Sequence, residues 1–125
     1  MPQKPTVLIV DDEAAIAFAL ERKLRSEGYP VCGSASSKEE AIALARQTNP
    51  DYIIMDIRLS GEGDGIDAAR EILSTNDTNV IFITGYSEGG VKERAMELNP
   101  HAYLVKPVKS TKLISLMQNA HKGAV

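Results

Sequence analysis

The sequence has one cysteine, no long hydrophobic run, no excess of positive charge and no compositionally biased linker. Each shortage excludes something. The single thiol, Cys32, cannot close an internal disulfide, which fits a reducing compartment better than a stapled secreted scaffold. Its simplest role is that of a small, half-buried strand residue. The longest apolar runs, such as Val7–Val10 and Val80–Ile83, fall far short of the ~20 residues that span a bilayer. The opening MPQKPT has no apolar stretch of the secretory kind. A cytoplasmic chain without membrane association is therefore expected. A net charge of −3 and a pI near 5.4 leave no basic footprint, so direct contact with nucleic acid is not expected.

What is present fits a globular domain. A chain of 125 residues, 43% hydrophobic and 25% charged, suffices for one core and leaves little for a second. Two periodicities alternate along it. Short apolar runs occur at Thr6–Val10, Tyr29–Gly33, Tyr52–Met55, Val80–Ile83 and Ala102–Val105. VLIV, YIIM and VIFI are continuously apolar, as in parallel strands covered on both faces. Helical patterns lie between them. Ile16, Leu20 and Leu24 recur every four residues before Gly28. Ser37 and Glu40 have capping-box spacing ahead of Ala41, Leu44 and Ala45. Ile66, Ala69, Ile72 and Leu73 mark a third helix, Val91, Ala95 and Leu98 a fourth, and Leu113, Leu116, Met117 and Ala120 a fifth. The NPD at Asn49 and NPH at Asn99 stand after a helix and before a strand, where proline forbids helix continuation. Five βα units with right-handed crossovers give an α/β fold, a parallel sheet with helices on both faces.

Ligands bind such a sheet outside the carboxyl ends of its strands. The first strand runs into Asp11, Asp12 and Glu13, the third into Asp56, the fourth into Thr84 and the fifth into Lys106. The second ends at Gly33 and Ser34 and adds nothing obvious. Each residue has a plain explanation taken alone. Asp11 or Asp12 caps a helix, Asp56 and Thr84 are turn residues, and Lys106 is a solvated lysine. Jointly, the plain explanations leave unexplained why four of five strands end in complementary polar groups on one edge. Two carboxylates about 4 Å apart repel by on the order of 4 kcal/mol at an effective dielectric near 20. A hard cation such as Mg²⁺ offsets that repulsion. Asp56 then has the chemistry of a carboxylate nucleophile forming an aspartyl phosphate. Mg²⁺, Lys106 and the Thr84 hydroxyl suit the charge on a phosphoryl group in transfer.

The blocks VLIVDDE, IIMDIRL, DGIDAAREI, VIFITGYS and YLVKPV, in this order and spacing, resemble the response-regulator receiver domain from Thr6 to about His121. The resemblance implies a flavodoxin-like (βα)5 three-layer sandwich with strand order 2-1-3-4-5. It implies a single receiver over 1–125, core about 6–121, with no output domain, and signalling by phosphotransfer rather than enzymatic turnover of a substrate. Asp56 would accept phosphate from a sensor histidine kinase or a histidine phosphotransfer protein. Asp11, Asp12, Asp56 and the backbone carbonyl of Arg58 would surround Mg²⁺ or Mn²⁺. Thr84 and Tyr103 would act as switch residues, with Tyr103 rotating inward, and Lys106 would pair with the phosphate. The Lys106–Pro107 bond would be cis. A downstream protein target would read the surface of the fourth helix, fifth strand and fifth helix of a monomer or weak dimer.

The chain departs from the family pattern in places. The loop from Asp56 to Gly65 is one residue longer than usual, with Ser60 where proline is common, and its three glycines suggest mobility. At the rim, Arg58 and Tyr86 stand where a water-positioning acid or amide would speed phosphate loss. Neither does that well, so both are expected to shield the phosphate. Two other functions compete. A phosphatase of the haloacid dehalogenase type needs a second acid two residues after its aspartate, where this chain has Arg58. A receiver-fold binding module that is never phosphorylated would not need the full set Asp11, Asp12, Asp56, Thr84 and Lys106.

Overall fold

The computed structural model describes residues 4–85 and 90–123, the stretch 119–123 as backbone only. The order is β1 (Val7–Val10), α1 (Ala14–Ser26), β2 (Val31–Ala35), α2 (Lys38–Thr48), β3 (Tyr52–Asp56), α3 (Gly65–Leu73), β4 (Asn79–Thr84), α4 (Val91–Met96), β5 (Ala102–Val105) and α5 (Ser110–Gly123). All pairings are parallel, and the sheet order is β2-β1-β3-β4-β5. This is the flavodoxin-like sandwich. No helix among the described residues is long and apolar enough to cross a membrane.

Alternation along the strands divides the interior into two layers. Leu8, Val10, Ile53, Met55, Val80 and Phe82 face α2, α3 and α4. Val7, Ile9, Tyr52, Ile54, Ile81 and Ile83 face α1 and α5. Both faces are covered, which is why β1 and β3 read as unbroken apolar runs and are buried along their whole length. Register aligns the strand ends. Val10 pairs with Met55, Met55 with Phe82, and Phe82 with Tyr103. The next position along β1 is Asp11, and along β3 it is Asp56, paired with Ile83. The site residues thus come to one edge because these strands end in step.

Three local expectations change. β2 starts two positions later than its apolar run, because Tyr29 belongs to the turn closing α1. Its N–H donates to the Leu24 carbonyl, after Gly28 at φ 90°, and its ring still enters the core. On α1 the inward stripe is Ala17, Leu20 and Leu24, whereas Ile16 and Phe18 are exposed. At α2, Ser37 caps by accepting the Glu40 N–H, but the Glu40 carboxylate takes the N–H of Ser36 rather than that of Ser37. The NPD and NPH turns match in form. Asn49 and Asn99 both adopt the left-handed conformation, at φ 47° and 51°.

Candidate functional site

β1 delivers Asp11, whose N–H donates to the Ala35 carbonyl of β2 at 2.9 Å. Its Oδ1 accepts the Glu13 N–H at 2.8 Å, just ahead of α1. Asp11 is buried and Asp12 is exposed. The two acids raised by the sequence therefore differ in burial, Asp11 at the base of the site and Asp12 at its solvent-exposed margin. Neighbouring β3 ends in Asp56, which is 5% exposed, too little for water alone to satisfy a carboxylate. Its Oδ1 accepts the Arg58 N–H at 3.2 Å and its Oδ2 accepts from the Lys106 ammonium at 2.8 Å. Lys106 also approaches Asp11 Oδ2, at 3.6 Å. The Lys106 N–H donates to the Thr84 carbonyl at 2.7 Å, and the Lys106–Pro107 bond is cis. Thr84 is buried at the end of β4.

The electrostatics follow from this crowding. Burial pushes the Asp56 carboxyl above its ordinary value. The Lys106 hydrogen bond and charge pull it back, Asp11 pushes it up again, and the net direction is up. For Lys106, burial disfavours the charged form, but Asp56, Asp11 and Glu13 outweigh it and raise the ammonium. One ammonium thus faces a larger negative charge than it can neutralise. Oxygens of Asp11, Asp12 and Asp56 lie within 4.8 Å of one another. Three carboxylates at that spacing, partly open to solvent, form a hard donor set that fits a Mg²⁺ ion retaining water ligands.

The loop after Asp56 is tied down more firmly than its glycines suggested. The Ser60 N–H donates to the Ser36 carbonyl at 3.0 Å, and Ser60 forms a parallel bridge with Ser37. Gly61 and Gly63, at φ 78° and 86°, supply the left-handed turns between this bridge and α3. Asp64 then caps α3 in a reciprocal capping box with Asp67. The Gly65 N–H donates to the Ile57 carbonyl at 2.7 Å, and a methyl on Gly65 would overlap the Asp56 carbonyl oxygen.

Among the remaining expected site residues, Arg58 has an exposed side chain beside the acceptor position. Tyr86 lies outside the described residues. Tyr103 is half-buried against the α2/α3/α4 layer, with the Lys92 ammonium 5.8 Å from its ring centroid. Its hydroxyl is already out of solvent and has no partner among the described residues. The sequence placed Gly65 at the end of the loop and Asp64 and Asp67 in the DGIDAAREI block, but gave none of them, nor Arg94, a role at the site. The D-x-x-D spacing from Asp64 to Asp67, spanning Ile66, carries a capping signal that would have found the acids. No local signal marks Arg94.

Comparison with known proteins agrees with this architecture. Residues 7–118 match the model of the response regulator receiver domain. The chain is 41% identical over 114 residues to the transcriptional regulatory protein PdtaR of Mycobacterium tuberculosis strain H37Rv, covering 91% of this chain and 55% of that protein. It is 30% identical over 119 residues to the response regulator GacA of Pseudomonas aeruginosa, covering 94% and 55%. The chain thus spans about half the length of these curated relatives. A signal receiver domain of a modulated diguanylate cyclase from Desulfovibrio desulfuricans G20 superposes with TM-score 0.89 at 36% identity, covering 96% of each chain. A CheY-like receiver domain protein from Methanospirillum hungatei JF-1 superposes with TM-score 0.87 at 25% identity, covering 95% and 94%. With its sheet order and its strand-end site, the chain belongs to the response regulator receiver domains of two-component signalling.

Proposed function

We propose that this domain accepts a phosphoryl group on Asp56 from a phosphohistidine of a sensor histidine kinase or a histidine phosphotransfer protein. The supporting observation is the joint placement of Asp56 against Lys106 at 2.8 Å and within an oxygen cluster that includes Asp11 and Asp12. In the transfer, an Asp56 carboxylate oxygen forms the P–O bond as the P–N bond breaks. The electron pair returns to the imidazole nitrogen. Mg²⁺ or Mn²⁺, held by Asp11, Asp12, Asp56 and the Arg58 carbonyl, would supply positive charge to the phosphoryl oxygens. Lys106 leaves its ion pair with Asp56 to pair with the phosphoryl group, and Thr84 contributes a hydroxyl donor.

The signal leaves through the elements that follow β4. Phe82 and Tyr103 are paired positions of β4 and β5 on the α4 side of the sheet, and Thr84 ends β4. New contacts at the phosphoryl group bias these elements, and a downstream protein reads the α4–β5–α5 face. The domain works as a cytoplasmic phosphoacceptor rather than as an enzyme turning over a substrate. The 1–125 segment comprises a single receiver. Incubation with a phosphorylated histidine kinase domain and Mg²⁺ tests the proposal. Label should leave the donor histidine and appear on this chain; retention of all label on the donor across candidate kinases would contradict it.

A further inference from the structure

α4 is weakly held. It spans only Val91–Met96, has no side-chain cap at Gly90, and buries only Ala95 completely, while Met96 is exposed. One polar contact stands out against this. Arg94 Nη1 donates to Asp64 Oδ2 at 3.1 Å and its Nη2 donates to Asp67 Oδ1 at 3.2 Å. The guanidinium fork thereby engages two carboxylates already fixed by their reciprocal capping box. Those acids are not on a loose element. The Gly65 N–H binds the Ile57 carbonyl, and Gly65 seats directly against the Asp56 carbonyl. The clasp therefore joins the rigid start of α3, packed on the acceptor strand, to α4, the first helix after Thr84. Its charges reinforce one another. The Asp67 carboxyl is held below its ordinary value first by the Asp64 N–H and also by the Asp64 side chain, Arg94 and Lys38, against a smaller opposing effect of burial.

We propose that the Arg94 clasp on Asp64 and Asp67 is a latch that sets the resting position of α4 and opposes its displacement when the site is phosphorylated. This rests on the phosphoacceptor reading above. A contact shifts a two-state equilibrium only if it differs between the states. A latch present at rest and broken in the active state raises the threshold for activation, whereas a clasp kept in both states changes nothing. Arg94 acts as a positioning residue: it touches neither the acceptor nor its neighbours in the oxygen cluster. Its side chain is 41% exposed, so the effect is modest and screened by salt.

The test uses Arg94→Met, which keeps the aliphatic stem, and Arg94→Lys, which keeps the charge and loses the fork. The first readout is amide hydrogen exchange of the resting chain, without any phosphoryl mimic. In Arg94→Met, exchange at Glu97 and Leu98 should rise about threefold, with Ile53 and Ile81 in the sheet unchanged, and Arg94→Lys should fall between. The second readout is a beryllofluoride titration with Mg²⁺ followed by NMR. Its midpoint should fall about threefold in Arg94→Met, and raising salt should move the wild type toward the variant. Unchanged α4 exchange, or a midpoint that stays or rises, would overturn the latch. If neither protein responds to beryllofluoride, the phosphoacceptor reading fails. The exchange result then decides by itself whether the clasp holds α4.

Discussion

Lys106 and Asp56 lie 50 positions apart in sequence, yet the ammonium meets the carboxylate at 2.8 Å where β5 and β3 end. The pair compensates incompletely, because burial and Asp11 still leave Asp56 raised. A carboxyl whose folded value lies above its unfolded one holds its proton more tightly when folded. Stability is then lost as pH rises from the ordinary carboxylate value of 3.8 through the raised one, and it stays lost at neutral pH. Asp56→Asn removes this penalty in a nearly isosteric way. Without metal, the variant should melt a few degrees above wild type at pH 7, and the gap should shrink on acidification toward the ordinary carboxylate range. A variant that melts lower at pH 7 would show that the Lys106 partnership outweighs burial.

The same excess of negative charge predicts stabilisation by metal. Mg²⁺ at 100 times its dissociation constant should raise unfolding free energy by about 2.7 kcal/mol. Asp11→Asn and Asp12→Asn should each lose most of this gain, because each removes one charged ligand from the cluster. Thermal melts with and without Mg²⁺ check it. Equal stabilisation of both variants and wild type would place the ion elsewhere.

Gly65 is set by contact rather than by backbone conformation. The methyl of Gly65→Ala has no room against the Asp56 carbonyl oxygen and the Met55 side chain. Displacing the end of β3 should cost about 1–3 kcal/mol and weaken Mg²⁺ binding as well. Gly61→Ala meets nothing within 4 Å, but its φ of 78° still strains it, by about 1 kcal/mol. It should lower stability and leave the metal site intact. Chemical denaturation with a parallel Mg²⁺ titration separates the two.

Phosphate lifetime should depend on the rim. Arg58 is exposed and can only donate, so it would hold a phosphoryl oxygen but could not take a proton from an attacking water. Tyr86 joins it on sequence grounds alone. The double variant Arg58→Asn with Tyr86→Glu should lose phosphate faster by on the order of tenfold, or 1.4 kcal/mol of barrier. Decay after donor removal measures this. A rate equal to or below wild type would contradict shielding.

The fold was legible because both faces of the sheet are covered. Continuous runs at Val7–Val10 and Tyr52–Met55 read as parallel strands covered on both faces, and their ends named Asp11 and Asp56. Legibility failed where local pattern and tertiary contact separate. Tyr29 is as apolar as a strand residue yet belongs to the α1 turn, and Ile16 keeps helical spacing while facing solvent. Glycine content suggested a loose loop, but the Ser60–Ser36 bond depends on two segments meeting in space. Arg94 was invisible for the same reason, since its partners lie 30 and 27 positions away.

The central claim is that Asp56 is the phosphoryl acceptor, and intact mass after incubation with acetyl phosphate and Mg²⁺ tests it most directly. The wild type should gain the mass of one phosphoryl group, the gain should disappear when the metal is chelated, and Asp56→Asn should gain nothing while remaining folded. Equal incorporation by Asp56→Asn, or none by the wild type, would contradict the account.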